Sequence, residues 1–196
     1  MKSICLLLLL IIQALGQDGL ELKQKAATRA NNYASTFFTS EQYIELFDSA
    51  VAEIAAGKDP KAVGNSMMQK MMDLMSPEQY SAVMGFGASL TTSLGLTGMS
   101  TFMSKLSTCL GNNMSPFFLQ IQEKLKTLQA DPATTDLDVS RQAYLMALEF
   151  ATPKRCETIL CRFKKSFTSA QWSKMYSGLT KFLLVAKYND NEECQF

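Results

Sequence analysis

The chain has 196 residues, 47% of them hydrophobic, with 19 Lys and Arg against 18 Asp and Glu and no histidine. So even a balance gives no footing for nucleic acid. The absence of histidine excludes Ser-His-Asp triads, Cys-His dyads and His-ligated zinc, and removes the usual switch near neutral pH.

The first element read along the chain is a leader. Met1-Lys2-Ser3 is a short basic start, Cys5 to Ile12 is an almost pure Leu/Ile run, and Ala14-Leu15-Gly16 offers small residues to a signal peptidase. This predicts a signal peptide over 1–16, cleavage before Gln17 and a secreted, extracellular protein. The apolar run is about half what a bilayer crossing needs, so no transmembrane segment is expected. Residues 17–196 then form a single helical domain, and losing Lys2 with the leader leaves the two charge signs balanced.

Helix starts punctuate the rest. Phe38-Thr39-Ser40-Glu41-Gln42-Tyr43, Met75-Ser76-Pro77-Glu78-Gln79-Tyr80 and Phe167-Thr168-Ser169-Ala170-Gln171-Trp172 share one pattern: an apolar residue, a hydroxyl, two variable positions, Gln and an aromatic. The hydroxyl caps the first free amides, Gln reaches back to close a capping box, and the flanking residues form a staple. Met114-Ser115-Pro116 reads as a degenerate fourth start. The pattern reads first as convergent capping chemistry and second as the echo of a helical-hairpin repeat.

From these starts follow helices over 40–56, with Tyr43, Phe47, Ala50 and Ile54 on one face, and over 60–74. A third begins at Ser76 and weakens near Gly95, a fourth covers 99–110, and a fifth begins at Ser115 with Phe118, Ile121, Leu125 and Leu128 on one side. Helices over 139–151, 155–166 and 169–188 complete the series. No alternating strand pattern appears, so the fold class is all-α: a single compact domain of about six to eight helices, stapled by disulfides.

Four cysteines follow the leader: Cys109, Cys156, Cys161 and Cys194. An even count in a secreted chain implies two bridges. On one helix, Cys156 and Cys161 point in different directions, so Cys109 and Cys194 are each expected to join one of them. A tetrathiolate metal site is the alternative, and it lacks paired close spacings.

Three features carry functional readings. Methionine is concentrated: Met67, Met68, Met71, Met72 and Met75 form a stripe, followed by Met84, Met99 and Met103. Met is unbranched and polarizable and lines surfaces that accept varied apolar shapes, although such stripes also pack as ordinary core. The stretch Gln79–Ser104 carries no charge, is interrupted by Gly85, Gly87, Gly95 and Gly98, and holds Phe86, Leu90 and Phe102. It reads as a buried central helix or as the wall of an apolar cavity. Finally, residues 151–187 carry Lys154, Arg155, Arg162, Lys164, Lys165, Lys174, Lys181 and Lys187 against Glu157 alone. Arg162, Lys164 and Lys165 are the candidate contacts to a ligand carboxylate or an anionic surface, and a solvated face is the plainer reading. Asn113-Met114-Ser115 is a glycosylation sequon at Asn113, crowded by Pro116.

No phosphate loop, metal motif or nucleophile elbow occurs in the chain, so no catalytic residue, cofactor or metal is expected and the protein is not read as an enzyme. In layout the chain resembles the secreted fatty-acid- and retinol-binding proteins of nematodes, on the segments Met75-Ser76-Pro77-Glu78 and Phe38-Thr39-Ser40-Glu41. That family is small, wholly helical and signal-peptided, and the resemblance implies binding of a lipid or similar apolar ligand. The chain departs from it in its four cysteines and uncharged centre, and no binding residue carries over. The first functional expectation is therefore a secreted helical protein holding an apolar small molecule in a Met/Gly-rich interior. The second is a secreted interaction, effector or host-defence protein with an extracellular protein partner and no small-molecule ligand.

Overall fold

The computed structural model describes residues 19–35, 37–180 and 183–184. A first helix, α1, covers 19–33. After it come α2 (Ser40–Ala55), α3 (Pro60–Leu74), α4 (Pro77–Gln129), α5 (Asp136–Phe150), α6 (Pro153–Lys165) and α7 (Ser169–Leu179). The leader expected over 1–16 and Cys194 lie outside the described residues.

Local chemistry places the starts. Thr39, Ser76, Thr135 and Thr168 each accept a hydrogen bond from the backbone three residues on, and Gln42, Gln79, Asp138 and Gln171 reach back to close the box. Asp59 and Thr152 cap α3 and α6, with Pro60 and Pro153 at the first helical position, where a missing amide is harmless. Gly57, at φ 76°, takes the left-handed conformation that ends α2.

Two of these boxes interlock. The Gln42 amide donates to Gln79 Oε1 at 2.9 Å and the Gln79 amide donates to Gln42 Oε1 at 2.8 Å, across 37 residues of sequence. Gln42 also donates to the Leu74 carbonyl, and Gln79 to the Phe37 carbonyl. Each partner carbonyl lies five residues before the opposite glutamine, so the clasp has local two-fold symmetry. It ties the start of α2 to the start of α4.

The helices bury three clusters. Ala27, Phe38 and Tyr43 form the first, with Met71, Leu74 and Met75 packed on it. Ile54, Val63, Ile121, Leu125, Val139 and Ala143 join α2, α3, α4 and α5. Leu90, Phe102, Phe163, Trp172, Met175 and Leu179 join α4, α6 and α7. Because α4 contributes to two clusters, the whole is one compact all-helical domain. Its only β feature among the described residues is an isolated antiparallel bridge between Ala34 and Leu183.

Two boundaries differ from expectation. The helices expected over 99–110 and from Ser115 are parts of α4, which runs through Pro116 and has its single break at Gly95 (φ 70°, ψ 170°). Burial of Ile121 and Leu125 carries the helix past a proline that removes one ladder bond. Of the helix expected over 169–188, α7 ends at Leu179, Leu183 bridges Ala34 and the Leu184 amide donates to the Tyr33 carbonyl at 3.0 Å, while 181–182 and 185–188 lie outside the described residues.

Candidate functional site

An apolar space lies among α1, α2, α4 and α5. It has a volume of about 280 Å³ and is walled by Phe47, Ile54, Phe117, Phe118 and Ile121 together with a set of alanines. Those alanines make the space. Ala26 and Ala30 on α1, Ala50 on α2, and Ala143, Ala147 and Ala151 on or just after α5 face it from three sides. Small side chains there leave a gap that the bulky residues hold open.

Polar groups at its edge are already engaged. The Arg29 guanidinium donates to the Leu148 carbonyl, and the Tyr33 hydroxyl donates to the Ala151 carbonyl at 2.7 Å. Both carbonyls belong to the last turn of α5 and its cap, where helix partners run out. The Tyr144 hydroxyl donates to Asp48 at 2.9 Å, and Lys23 pairs with the same carboxylate at 2.8 Å. Burial, and then the bond to Asp48, pushes the Tyr144 phenol far above its ordinary range, so it stays a neutral donor.

A basic groove of about 520 Å³ adjoins this cavity, between α4 and α6. Among the described residues lining it, Lys154, Arg155 and Arg162 are cationic and none is acidic. Arg155 lies over the Phe150 ring, 4.5 Å from its centroid, and donates to the Phe150 carbonyl. Arg162 donates to Asn113 Oδ1. Phe117 and Phe150 line both the groove and the cavity, and their rings stack with centroids 3.9 Å apart. The stacked pair is thus the wall between the two spaces.

The residues expected to line a ligand site are dispersed. Met67 packs on the Ile54–Leu125 cluster, and Met71 and Met75 pack beside Phe38 and Tyr43. Leu90 and Phe102 are buried with Trp172, and Phe86 and Met99 pack against them. Met68, Met84 and Met103 are exposed, and Met72 is half-buried. None of these residues lines the apolar cavity. The uncharged stretch is likewise not a buried central helix: at Gln79–Ser104 one face packs on α7 while Tyr80, Met84, Leu96 and Met103 face outward. Serine, threonine, alanine and glycine make the outer face polar enough for water without any charge. Of the expected anion contacts, Arg162 lines the basic groove, whereas Lys164 and Lys165 do not. Asn113 is engaged on both sides of its amide, with Cys109 and with Arg162.

Two of the cysteines differ from expectation. Cys109 and Cys156 are free thiols. Cys109 faces Ile159, Asn113 and Arg162, while Cys156 sits against Tyr33 and Arg29 of α1, so each thiol has its own set of neighbours. Cys161 is disulfide-bonded. Burial pushes both free thiols above the ordinary range, against the opposing pull of Arg162 on Cys109 and of Tyr33 and Arg29 on Cys156.

Sequence reasoning followed the methionines and missed the cavity. The signal was present in the alanines of α1 and α5, which recur at helical spacing: Ala26 and Ala30, then Ala143, Ala147 and Ala151. Lys154 and Arg155 were visible only as members of a basic run. Among the described residues, no helix is long and apolar enough to cross a membrane, and no group of three or more His, Cys, Asp and Glu is placed to hold a metal ion. Compared with known proteins, the chain matches no protein family, no curated protein and no solved structure.

Proposed function

We propose that the protein is a secreted carrier that binds a lipid-like apolar small molecule in the cavity among α1, α2, α4 and α5. The observation that carries this reading is the composition of the wall: aromatic, aliphatic and alanine side chains enclose the space, and the polar groups of Arg29, Tyr33 and Tyr144 at its edge are turned to backbone or carboxylate partners. A concave apolar space with a few oriented polar groups is the usual form of a small-molecule site. Its volume, about 280 Å³, is near the lower end of such sites. The test is displacement of a fluorescent fatty acid from the native protein by unlabelled lipid. Ala147→Phe should fill the space and abolish saturable binding while the fold survives. Absence of saturable binding to the unaltered protein would remove the reading.

A second reading, an extracellular interaction protein, is favoured by the outer face of α4. There Thr91, Thr92, Ser93 and Thr101 turn their hydroxyls back to helix carbonyls four residues earlier, which hides donors beside the exposed Met84, Leu96 and Met103. Replacing those three with glutamate should abolish binding to an extracellular partner and leave lipid displacement unchanged. If the triple variant keeps every interaction of the parent, this reading fails.

A further inference from the structure

We infer that the cavity and the groove are two halves of one site, and that its ligand is a single-chain amphiphile with an anionic head. The inference rests on the carrier reading above and adds the ligand's chemistry. Two spaces of opposite character meet at one wall, the stacked rings of Phe117 and Phe150. On one side the lining is apolar; on the other stand Lys154, Arg155 and Arg162 with no acid among the described lining residues. A chain in the cavity that emerges beside Phe150 brings its head alongside Arg155, whose guanidinium already rests on that ring.

Arg155 is held in place by the ring and by the Phe150 carbonyl. A guanidinium has five N–H donors, so this hold leaves a planar fork for a carboxylate or phosphate. Arg162, oriented by Asn113, and Lys154 add charge from the same helix. Arg29 is the competing cation, since it lines the cavity from the α1 side, but its guanidinium is turned to the Leu148 carbonyl, and the space beyond it holds the Lys25–Glu21 ion pair.

The cavity also sets the chain length. At about 30 Å³ per water-sized group, about 280 Å³ takes roughly nine methylenes. Affinity should therefore rise about fourfold per methylene up to about ten carbons and then level off.

The experiment measures displacement of one fluorescent probe by decanoate, decyl phosphate and decan-1-ol, on the full chain and on Arg155→Gln/Arg162→Gln. The parent should bind the two anions at least about tenfold tighter than the alcohol. The double variant should bind all three with the alcohol's affinity. The carboxylate and phosphate arms show which head fits better. Raising the ionic strength to about 1 M, where the screening length is about 3 Å, should shrink the anion preference of the unaltered protein, which gives a readout independent of any variant. Equal affinity for alcohol and anions, or a preference that survives in the double variant, overturns the inference while leaving the carrier reading intact. So does a preference abolished by Arg29→Gln alone. Failure of all three probes to bind overturns both.

Discussion

Gln42→Ala should destabilise the protein far more than removing a capping-box glutamine ordinarily does. The Gln42 amide makes four hydrogen bonds: it accepts from the Thr39 amide and the Gln79 amide, and donates to Gln79 Oε1 and the Leu74 carbonyl. A net contribution of about 0.5–1.5 kcal/mol per bond, reduced by partial exposure, gives a loss of about 2–4 kcal/mol. In a chain of this size that lowers the melting temperature by about 4–16 °C. Gln171→Ala is the internal control, because Gln171 closes the box of α7, with bonds to and from Thr168, but has no glutamine opposite it. It should lose about 1 kcal/mol. The assay is urea unfolding of the two single variants, Gln79→Ala and the Gln42→Ala/Gln79→Ala pair. Both singles break the same exchanged bonds, so the pair should lose less than the two combined, with a coupling of about 1–2 kcal/mol. Additive losses, or a Gln42→Ala effect no larger than that of Gln171→Ala, would show that the interlock contributes nothing beyond two separate caps.

Three further outcomes follow from burial and charge. Leu125→Ala, at a side chain only 1% exposed, should destabilise by about 2–5 kcal/mol, whereas Met84→Ala, 53% exposed, should stay within about 0.5 kcal/mol in the same unfolding assay. Cys109 and Cys156 should alkylate slowly in the native protein at neutral pH, because burial raises both thiols and leaves little thiolate. A peptide map of unreduced protein should find both unlinked and Cys161 joined to Cys194; prompt native labelling, or a bridge involving Cys109, would contradict this. Asp138 is held below its ordinary value of 3.8 by the Thr135 hydroxyl and amide. Its contribution is complete above about pH 5 and is lost as the pH falls through the lowered value. The stability difference between the parent and Asp138→Asn should therefore narrow on acidification, and a constant difference would refute the assignment.

The fold was legible in proportion to how local its causes are. Capping residues act within one turn, so the starts at Thr39, Ser76 and Thr168 were readable directly. Ser115-Pro116 carries the same local signal and starts nothing, because burial of Ile121 and Leu125 overrides it. Helix α1 announces itself poorly, since Ala26 and Ala27 supply a buried face without bulk. The uncharged segment after Gln79 misled for a related reason: lack of charge suggested burial, but hydroxyls bonded to their own helix serve an exposed face as well. The site was least legible. A cavity is a property of what four helices fail to fill, and no single stretch of sequence records an absence. The interlocked glutamines lie between these extremes. Their spacing was visible as a recurring motif, but the reciprocal bonds needed both copies brought face to face.

Helix α4 has a consequence for how the protein opens. Its turns around Phe102 are buried against α6 and α7, and those around Ile121 and Leu125 against α2, α3 and α5. Between them Ser107, Thr108, Leu110, Gly111 and Asn112 are exposed. Amide hydrogen exchange along this one helix should be a profile with two protected maxima and a faster saddle near residue 110. The two maxima report separate cooperative units that share a backbone. A molecule seated at Phe117 and Phe150 touches α4 on one side of the saddle and α6, which packs beyond it, on the other. Its binding would slow exchange in both units together and merge their openings into one event.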